Sequence, residues 1–448
     1  PRITSSRYEH PRIPTHMNPT IHTRRQFLRT SILGGALSWT VPAFLERTFL
    51  AMDAHAADSL IQTATGKDGP ILVILQLAGG NDGLNTLVPH GDDAYYRARR
   101  SLAIPKTKTH RLTDYLGLNP NLSGLKSLYD EGHLSVIQGV GYPNPNRSHF
   151  RSTEIWQTAV DANKSDSHGW LGRYFDSCCQ GEDPAVGVSI GNQAPQAFTA
   201  KEPRGISFAR PEQFRFDLKQ SAIPDAADEF FRSVNDVESM DGGSIGMLPG
   251  SNSGGGETLD FLQRTALDAV MSSDKVLDIT KRSRSSVTYP NSKLANSLNL
   301  VARLIGGGMP TRVYYVAQGG YDTHSNQAGS HQQLMRELDS SMSAFVADLK
   351  AQGNFDRVMM MTFSEFGRRV AENGSGGTDH GAAAPLFVAG GAVKPGIFGT
   401  APSLTKLNNG DLIHSVDFRS VYATVLSKWL KAPVEPILHR NFPILPFI

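Results

Sequence analysis

The chain has 448 residues, with 44 lysines and arginines against 42 aspartates and glutamates and a formal net charge of +2. Its first 56 residues carry seven of the basic and three of the acidic side chains, so the remaining 37 against 39 leave no electrostatic footprint for nucleic acid. The two cysteines, Cys178 and Cys179, are adjacent, which excludes a disulfide framework; two ordinary thiols are the simpler reading and a strained vicinal disulfide the rarer one.

Thr23-Arg-Arg-Gln-Phe-Leu-Arg29 has the form of a twin-arginine export signal, with Met17 just ahead of it as a candidate start. The apolar segment that follows, Ile32 to Leu45, is 14 residues long. A bilayer span needs roughly 20, so the segment reads as a leader and not as a stable membrane span. Ala54-His-Ala56 then offers a small-x-small cleavage site. The expected mature chain is 57–448, periplasmic or secreted, with the twin-arginine machinery as its export partner. At that length it is read as one α/β domain with insertions. The Gly/Ser-rich run at 241–256 is read as an internal loop of that domain.

Ile71–Leu77 is an apolar run of buried parallel-strand type. It empties into Ala78-Gly-Gly-Asn-Asp-Gly-Leu-Asn-Thr86, where glycines allow a tight turn beside Asp82. The stretch lacks GxGxxG spacing and opens no amphipathic helix, so a dinucleotide reading fails. Leu134–Gln138 is a second strand, and a Gly/Pro/Asn-rich loop leads from it to Arg147-Ser-His-Phe150. Ser148 stands at the expected N-cap of a helix containing Ile155 and Trp156. It serves either as the cap or as a hydroxyl at the positive end of the helix dipole. Arg147, His149 and Arg151 around it are either holders of an anionic substrate or surface charges.

Ala185–Ile190 reads as a strand, and Glu257–Ile279 and Ser292–Ile305 as helices, the latter packing through Leu298, Val301 and Ile305. His168 is a lone loop histidine with no role assigned. Arg312–Ala317 is a strand followed by Asp322 and His324. Leu334, Leu338, Met342, Phe345 and Leu349 then mark a helix, and Val358–Thr362 a buried strand. A strand, helix and strand of these lengths make a parallel crossover. Loops leaving the carboxyl ends of such strands converge on one crevice. Glu365-Phe-Gly-Arg-Arg369 and Gly377-Thr-Asp-His-Gly381 supply Glu365, Asp379 and His380 there. Carboxylates and imidazoles between glycines suit a divalent ion; the blander reading is a surface pair of Glu365 with Arg368. His414 and Asp417 precede a C-terminal helix, with Asp417 as its cap.

Taken together, the leader, GGNDGLNT, RSHF, GGYDTH, SEFGR and GTDHG resemble the exported bacterial family known as domain of unknown function 1501, over nearly the whole chain. That family has no assigned reaction and is similar to the alkaline phosphatase and sulfatase superfamily. The resemblance implies a mainly parallel central sheet with helices on both faces. It also implies a metal site from Asp82, Asp322, His324, Glu365, Asp379 and His380, with Ser148 as nucleophile and Arg147 or Arg151 stabilising charge. The expected cofactor is one or two divalent ions, zinc or manganese before calcium or magnesium. The expected reaction is hydrolysis of a phosphate or sulfate ester of a small molecule or glycan. The chain departs from the superfamily at Phe366, where a ligand histidine belongs, and in the tight spacing of Asp322 and His324, which makes His331 an alternative. Ser152 competes with Ser148 on sequence grounds. A non-catalytic exported binding or scaffold protein is the alternative that Phe366 favours.

Overall fold

A computed structural model describes residues 69–179, 184–201, 205–213 and 272–448. The leader, the Gly/Ser-rich run and the first part of the expected helix Glu257–Ile279 lie outside the described residues, while 272–282 is helical. The sheet is built from β1 (Ile71–Leu77), β2 (Leu134–Gly141), β3 (Gly187–Ile190), β4 (Ile206–Phe208), β5 (Val313–Gln318), β6 (Val358–Phe363), β7 (Ala384–Gly390), β8 (Gly396–Phe398) and β9 (Val416–Asp417). The helices that matter below are α1 (Asp93–Ala98), α2 (His149–Thr158), α3 (Trp170–Cys178), α4 (Lys293–Gly306), α5 (Gln327–Ala351) and α6 (Phe418–Thr424).

The nine strands run in the order β8-β2-β7-β6-β1-β5-β3-β4, with β9 also paired to β2. All are mutually parallel except β7, which runs against both β2 and β6. The expected strand–helix–strand crossover is present as β5-α5-β6, and β1 lies between the two strands it joins. Leu75 of β1 is level with Val316 of β5 and Thr362 of β6, so the three strands end together. Their loops therefore leave at one height. Because β7 is reversed, its amino end reaches the same rim, and the residues before it join the others there.

Period-two alternation divides the core between the two faces of the sheet. Ile71, Val73 and Leu75 pack with Leu298 and Val301 of α4 and Leu338, Met342 and Phe345 of α5. Leu72 and Ile74 pack the other way, with Ile155 and Trp156 of α2, Tyr174 of α3 and Val421 of α6. Helices thus cover both faces, the expected mainly parallel α/β arrangement. Each such aliphatic side chain taken fully from water stabilises by roughly 1.5–3 kcal/mol. Ser292 caps α4 by accepting from Ala295 N–H, and Asp417 takes its expected capping role by accepting from Arg419 N–H. Among the described residues, no helix is long and apolar enough to cross a membrane.

Candidate metal centre

The first turn of α2 is fixed before any site chemistry is considered. Trp156 stacks between Phe363 and Phe418, with ring centroids 5.2 and 4.3 Å away. Ser152 is buried, donates to the Glu365 carbonyl and lies 2.7 Å from the Tyr142 hydroxyl. Ser152 is therefore a rivet between α2 and the β6 loop. Ser148 has the N-cap position, yet its exposed side chain makes no cap bond.

A second fixture joins the strand-end loops. Arg368 is 1 % exposed, and its guanidinium donates to the carbonyls of Gly79, Gly80, Tyr321 and Thr378 and to Asp322 Oδ1. It knots the loops after β1, β5 and β6 to the one before β7, which replaces the expected surface pair with Glu365. Gly79, at φ 120°, permits this convergence: a Cβ there would stand 2.5 Å from the Asp322 backbone nitrogen.

Within that frame, His149, Asp322 and His380 bring one ligand atom each to within 4.8 Å of one another. Asp322 Oδ1 lies 3.0 Å from His380 Nε2 and 3.0 Å from His324 Nε2. Its Oδ2 lies 3.4 Å from His149 Nε2, a buried atom with no hydrogen-bond partner. The opposite ring nitrogens are all occupied. His380 Nδ1 lies 2.8 Å from the Arg147 carbonyl, His149 Nδ1 2.9 Å from Glu365 Oε1, and His324 Nδ1 3.4 Å from Asp379 Oδ1. Each of those partners accepts, so the Nδ1 side of each ring is anchored from outside and each Nε2 is aimed inward at Asp322. His324 Nε2 and His380 Nε2 stand 2.9 Å apart. At that distance one ring nitrogen hydrogen-bonds to the other. The 3.4 Å separation of Asp322 Oδ2 and His149 Nε2 is that of two atoms able to share an ion whose bonds are about 2.0–2.2 Å long, while the 3.0 Å contacts of Oδ1 are hydrogen-bond distances. Partial burial pushes the Asp322 carboxyl up, but His380 and Arg368 hold it well below the usual carboxylate range.

The expected residues thus divide. Asp322, His324 and His380 come together. Glu365 is buried behind His149, its Oε1 also taking the Gly79 N–H at 2.8 Å, so it orients the His149 ring from behind. Asp379 stands outside His324, and Asn373 donates to it at 3.0 Å, which helps hold its carboxyl below the usual range. Asp82 is a correction: it is fully buried, and its Oδ2 receives Arg99 at 2.5 Å and the amide of Gln327. Burial pushes its carboxyl up, and Arg99, helped by His331 and Gln327, more than reverses this. Arg147 and Arg151 are corrections as well. Arg147 is bound to Asp411 through Nε at 2.8 Å; Arg151 pairs with Glu154 at 2.7 Å and donates to the carbonyls of Ala162 and Lys164. His331 sits inside, 3.1 Å from Asn81 Oδ1, and not at Asp322. Phe366 is the wall of the cluster, its ring centroid 4.5 Å from that of His380 and 4.9 Å from that of His149. The member of the cluster that sequence reasoning did not count among the metal candidates is His149, whose only sign was its place in RSHF at the mouth of a helix.

Fold and cluster together define an α/β protein with a histidine–carboxylate site at one rim of a mainly parallel sheet. Residues 136–429 match the family described as Protein of unknown function (DUF1501), and the chain belongs to that family. No curated protein matches the sequence. Among solved structures, the chain is similar to a protein in the alkaline phosphatase superfamily from Vibrio parahaemolyticus, at 11% identity, a TM-score of 0.37, and coverage of 89% of this chain and 78% of that one. It is similar also to the PsFucS1 sulfatase from Pseudoalteromonas sp., at 10%, 0.35, 91% and 75% respectively. A third such structure is the lipoteichoic acid synthase LtaP from Listeria monocytogenes, at 9%, 0.34, 74% and 68%.

Proposed function

We propose that the protein is a metal-dependent hydrolase of phosphate or sulfate esters, acting outside the cytoplasm. The observation that carries this reading is the convergence of three histidine Nε2 atoms on the Asp322 carboxylate. His149, His324, His380 and Asp322 would hold the ion, and mixed imidazole and carboxylate donors favour zinc or manganese. A bound ion of this kind supplies Lewis acidity to an ester oxygen and lowers the pKa of a hydroxyl beside it.

The chain's own contribution begins with Ser148, the exposed hydroxyl next to His149 and the residue we assign as nucleophile. The free N–H groups in the first turn of α2 favour negative charge gathering on the transferring group. Phe366 keeps water from the back of the two imidazoles. With Arg147 and Arg151 engaged elsewhere, no arginine is assigned to charge stabilisation.

A second reading, a non-catalytic exported protein with one structural ion, is favoured by the withdrawal of Asp82 to Arg99. One experiment separates them. Cells expressing the full chain are fractionated, and the extracytoplasmic protein is assayed for metal content and for turnover of 4-nitrophenyl phosphate and 4-nitrophenyl sulfate. Turnover that a chelator abolishes and His380→Ala lacks is the expected result. Bound metal without turnover of either ester supports the second reading, and a metal-free protein sinks both.

A further inference from the structure

Of the three histidines around Asp322, His324 is the least secured by packing. Its side chain is 45% exposed and that of Asp379 outside it 52%, so hydrogen bonds have to hold the pair. The loop 373–379 supplies them. Gly377 lets it lie close, since a Cβ there would stand 2.2 Å from the His324 carbonyl carbon. Asn326 N–H then donates to the Ser375 carbonyl, Gln327 N–H to that of Gly376 and Thr378 N–H to that of Thr323. Asn373 pins the contact. Its Nδ2 donates to the His324 carbonyl at 2.9 Å and to Asp379 Oδ1 at 3.0 Å. Its Oδ1 accepts from Ser375 N–H at 2.9 Å and from Gly377 N–H at 3.1 Å. A primary amide has two donor hydrogens and two acceptor lone pairs, so every hydrogen-bonding valence of this side chain is used. Turned the other way, the amide would set its oxygen against two acceptors and its nitrogen against two N–H groups, so one orientation alone fits.

We propose that Asn373 is a positioning residue for the ion site, the side chain that keeps His324 Nε2 facing Asp322. It grips His324 twice: directly at the backbone carbonyl, and through Asp379, whose Oδ1 lies 3.4 Å from His324 Nδ1. Backbone and ring are thus fixed from one amide. That His324 binds an ion rests on the hydrolase reading; that Asn373 sets its direction does not.

Asn373→Asp keeps the shape and an acceptor for the two N–H groups, but sets an oxygen against the His324 carbonyl and a negative charge against Asp379. Asn373→Ser, run beside it, opens the same gap to water without adding charge. Zinc affinity of the full chain, read by competition with a chromophoric chelator, should fall about tenfold in both variants, the low end for groups that aim a ligand. Because Asn373 acts through His324, neither change should lower affinity further once His324→Ala is present. Unchanged affinity in both variants overturns the assignment, as does a loss that persists in full beside His324→Ala. A second readout needs no metal. In the metal-free protein with isotopically labelled histidine, the His324 ring signals are identified by their absence in His324→Ala. They should narrow in both variants as the ring gains freedom; signals that stay as in the parent overturn the assignment. Narrowed signals in a protein that takes up no zinc support the role of Asn373 and sink only the metal reading.

Discussion

Asp82 follows β1 and Asp322 follows β5, adjacent parallel strands that end level with one another. Asp82 is fully buried and takes its charge partner from Arg99, which is itself 0% exposed and also donates to Asn85 and to the carbonyls of Val370 and Arg369. Asp322 is 47% exposed, takes Arg368 at 2.8 Å and is surrounded by the Nε2 atoms of three histidines. One carboxylate has been given a permanent cation from the chain. The other shares Arg368 with four backbone carbonyls and keeps a half-exposed face among three imidazoles, where a cation from solution can reach it. Position at a strand end is therefore insufficient to make a ligand; what decides is whether the carboxylate is sealed from solvent with its arginine.

The largest consequence of this contrast is in stability. Arg99→Met leaves Asp82 buried and unpaired, and should cost about 3–5 kcal/mol in denaturant unfolding of the metal-free protein. Asp322→Asn in the same assay should move the unfolding free energy by less than ~1 kcal/mol, because the carboxylate is half exposed. Equal costs at the two places would erase the distinction between a structural and a vacant-handed aspartate.

A smaller effect concerns pH. His331 lies in the closed region with Asp82, Arg99 and Arg368 around it, and burial lowers its pKa to about 4, the charge of Asp82 only partly opposing this. An unfolded histidine titrates near 6.5. Between these values the unfolded chain binds a proton that the folded chain refuses, so stability falls as pH drops from about 6.5 to about 4 and then levels. At about 1.36 kcal/mol for each tenfold in proton affinity, the decline is roughly 3 kcal/mol. His331→Gln should lack this decline when unfolding curves are taken across the interval. A variant that keeps the same pH slope would move the titration elsewhere in the protein.

Much of this contrast was hidden from the sequence for a physical reason. The runs Ile71–Leu77 and Val358–Thr362 declare themselves as buried strands, and Asp322, Glu365 and His380 are legible because each lies a few residues from a strand end. Pairings across the fold carry no such mark. Arg99 follows a six-residue helix and gives no hint that it will reach Asp82. Asp411 lies 264 positions from Arg147, so Arg147 read as free. His149 looked like a substrate contact because nothing local shows Glu365 Oε1 behind its ring, 216 positions away. The reversal of β7, which brings His380 to the shared rim, was equally unmarked, since a buried antiparallel strand reads like a parallel one.

Glu365 provides the finest test, because it was expected to bind the ion and instead stands behind His149, which the proposed site makes a ligand. Glu365→Gln keeps the size of the side chain and an acceptor for Gly79 N–H, while removing the negative charge from the His149 hydrogen bond. Partners of this kind typically change metal affinity about 10–100-fold, or roughly 1.4–2.8 kcal/mol, when altered. Competition with a chromophoric chelator should therefore show zinc affinity reduced within that range, with His149→Ala and His380→Ala losing more. If Glu365→Gln loses as much affinity as either histidine variant, Glu365 itself contacts the ion, and the division between ligands and the groups that aim them has to be redrawn. If it loses none, the bond to His149 does not set the direction of that ring, and the packing of Phe366 against it is the stronger influence.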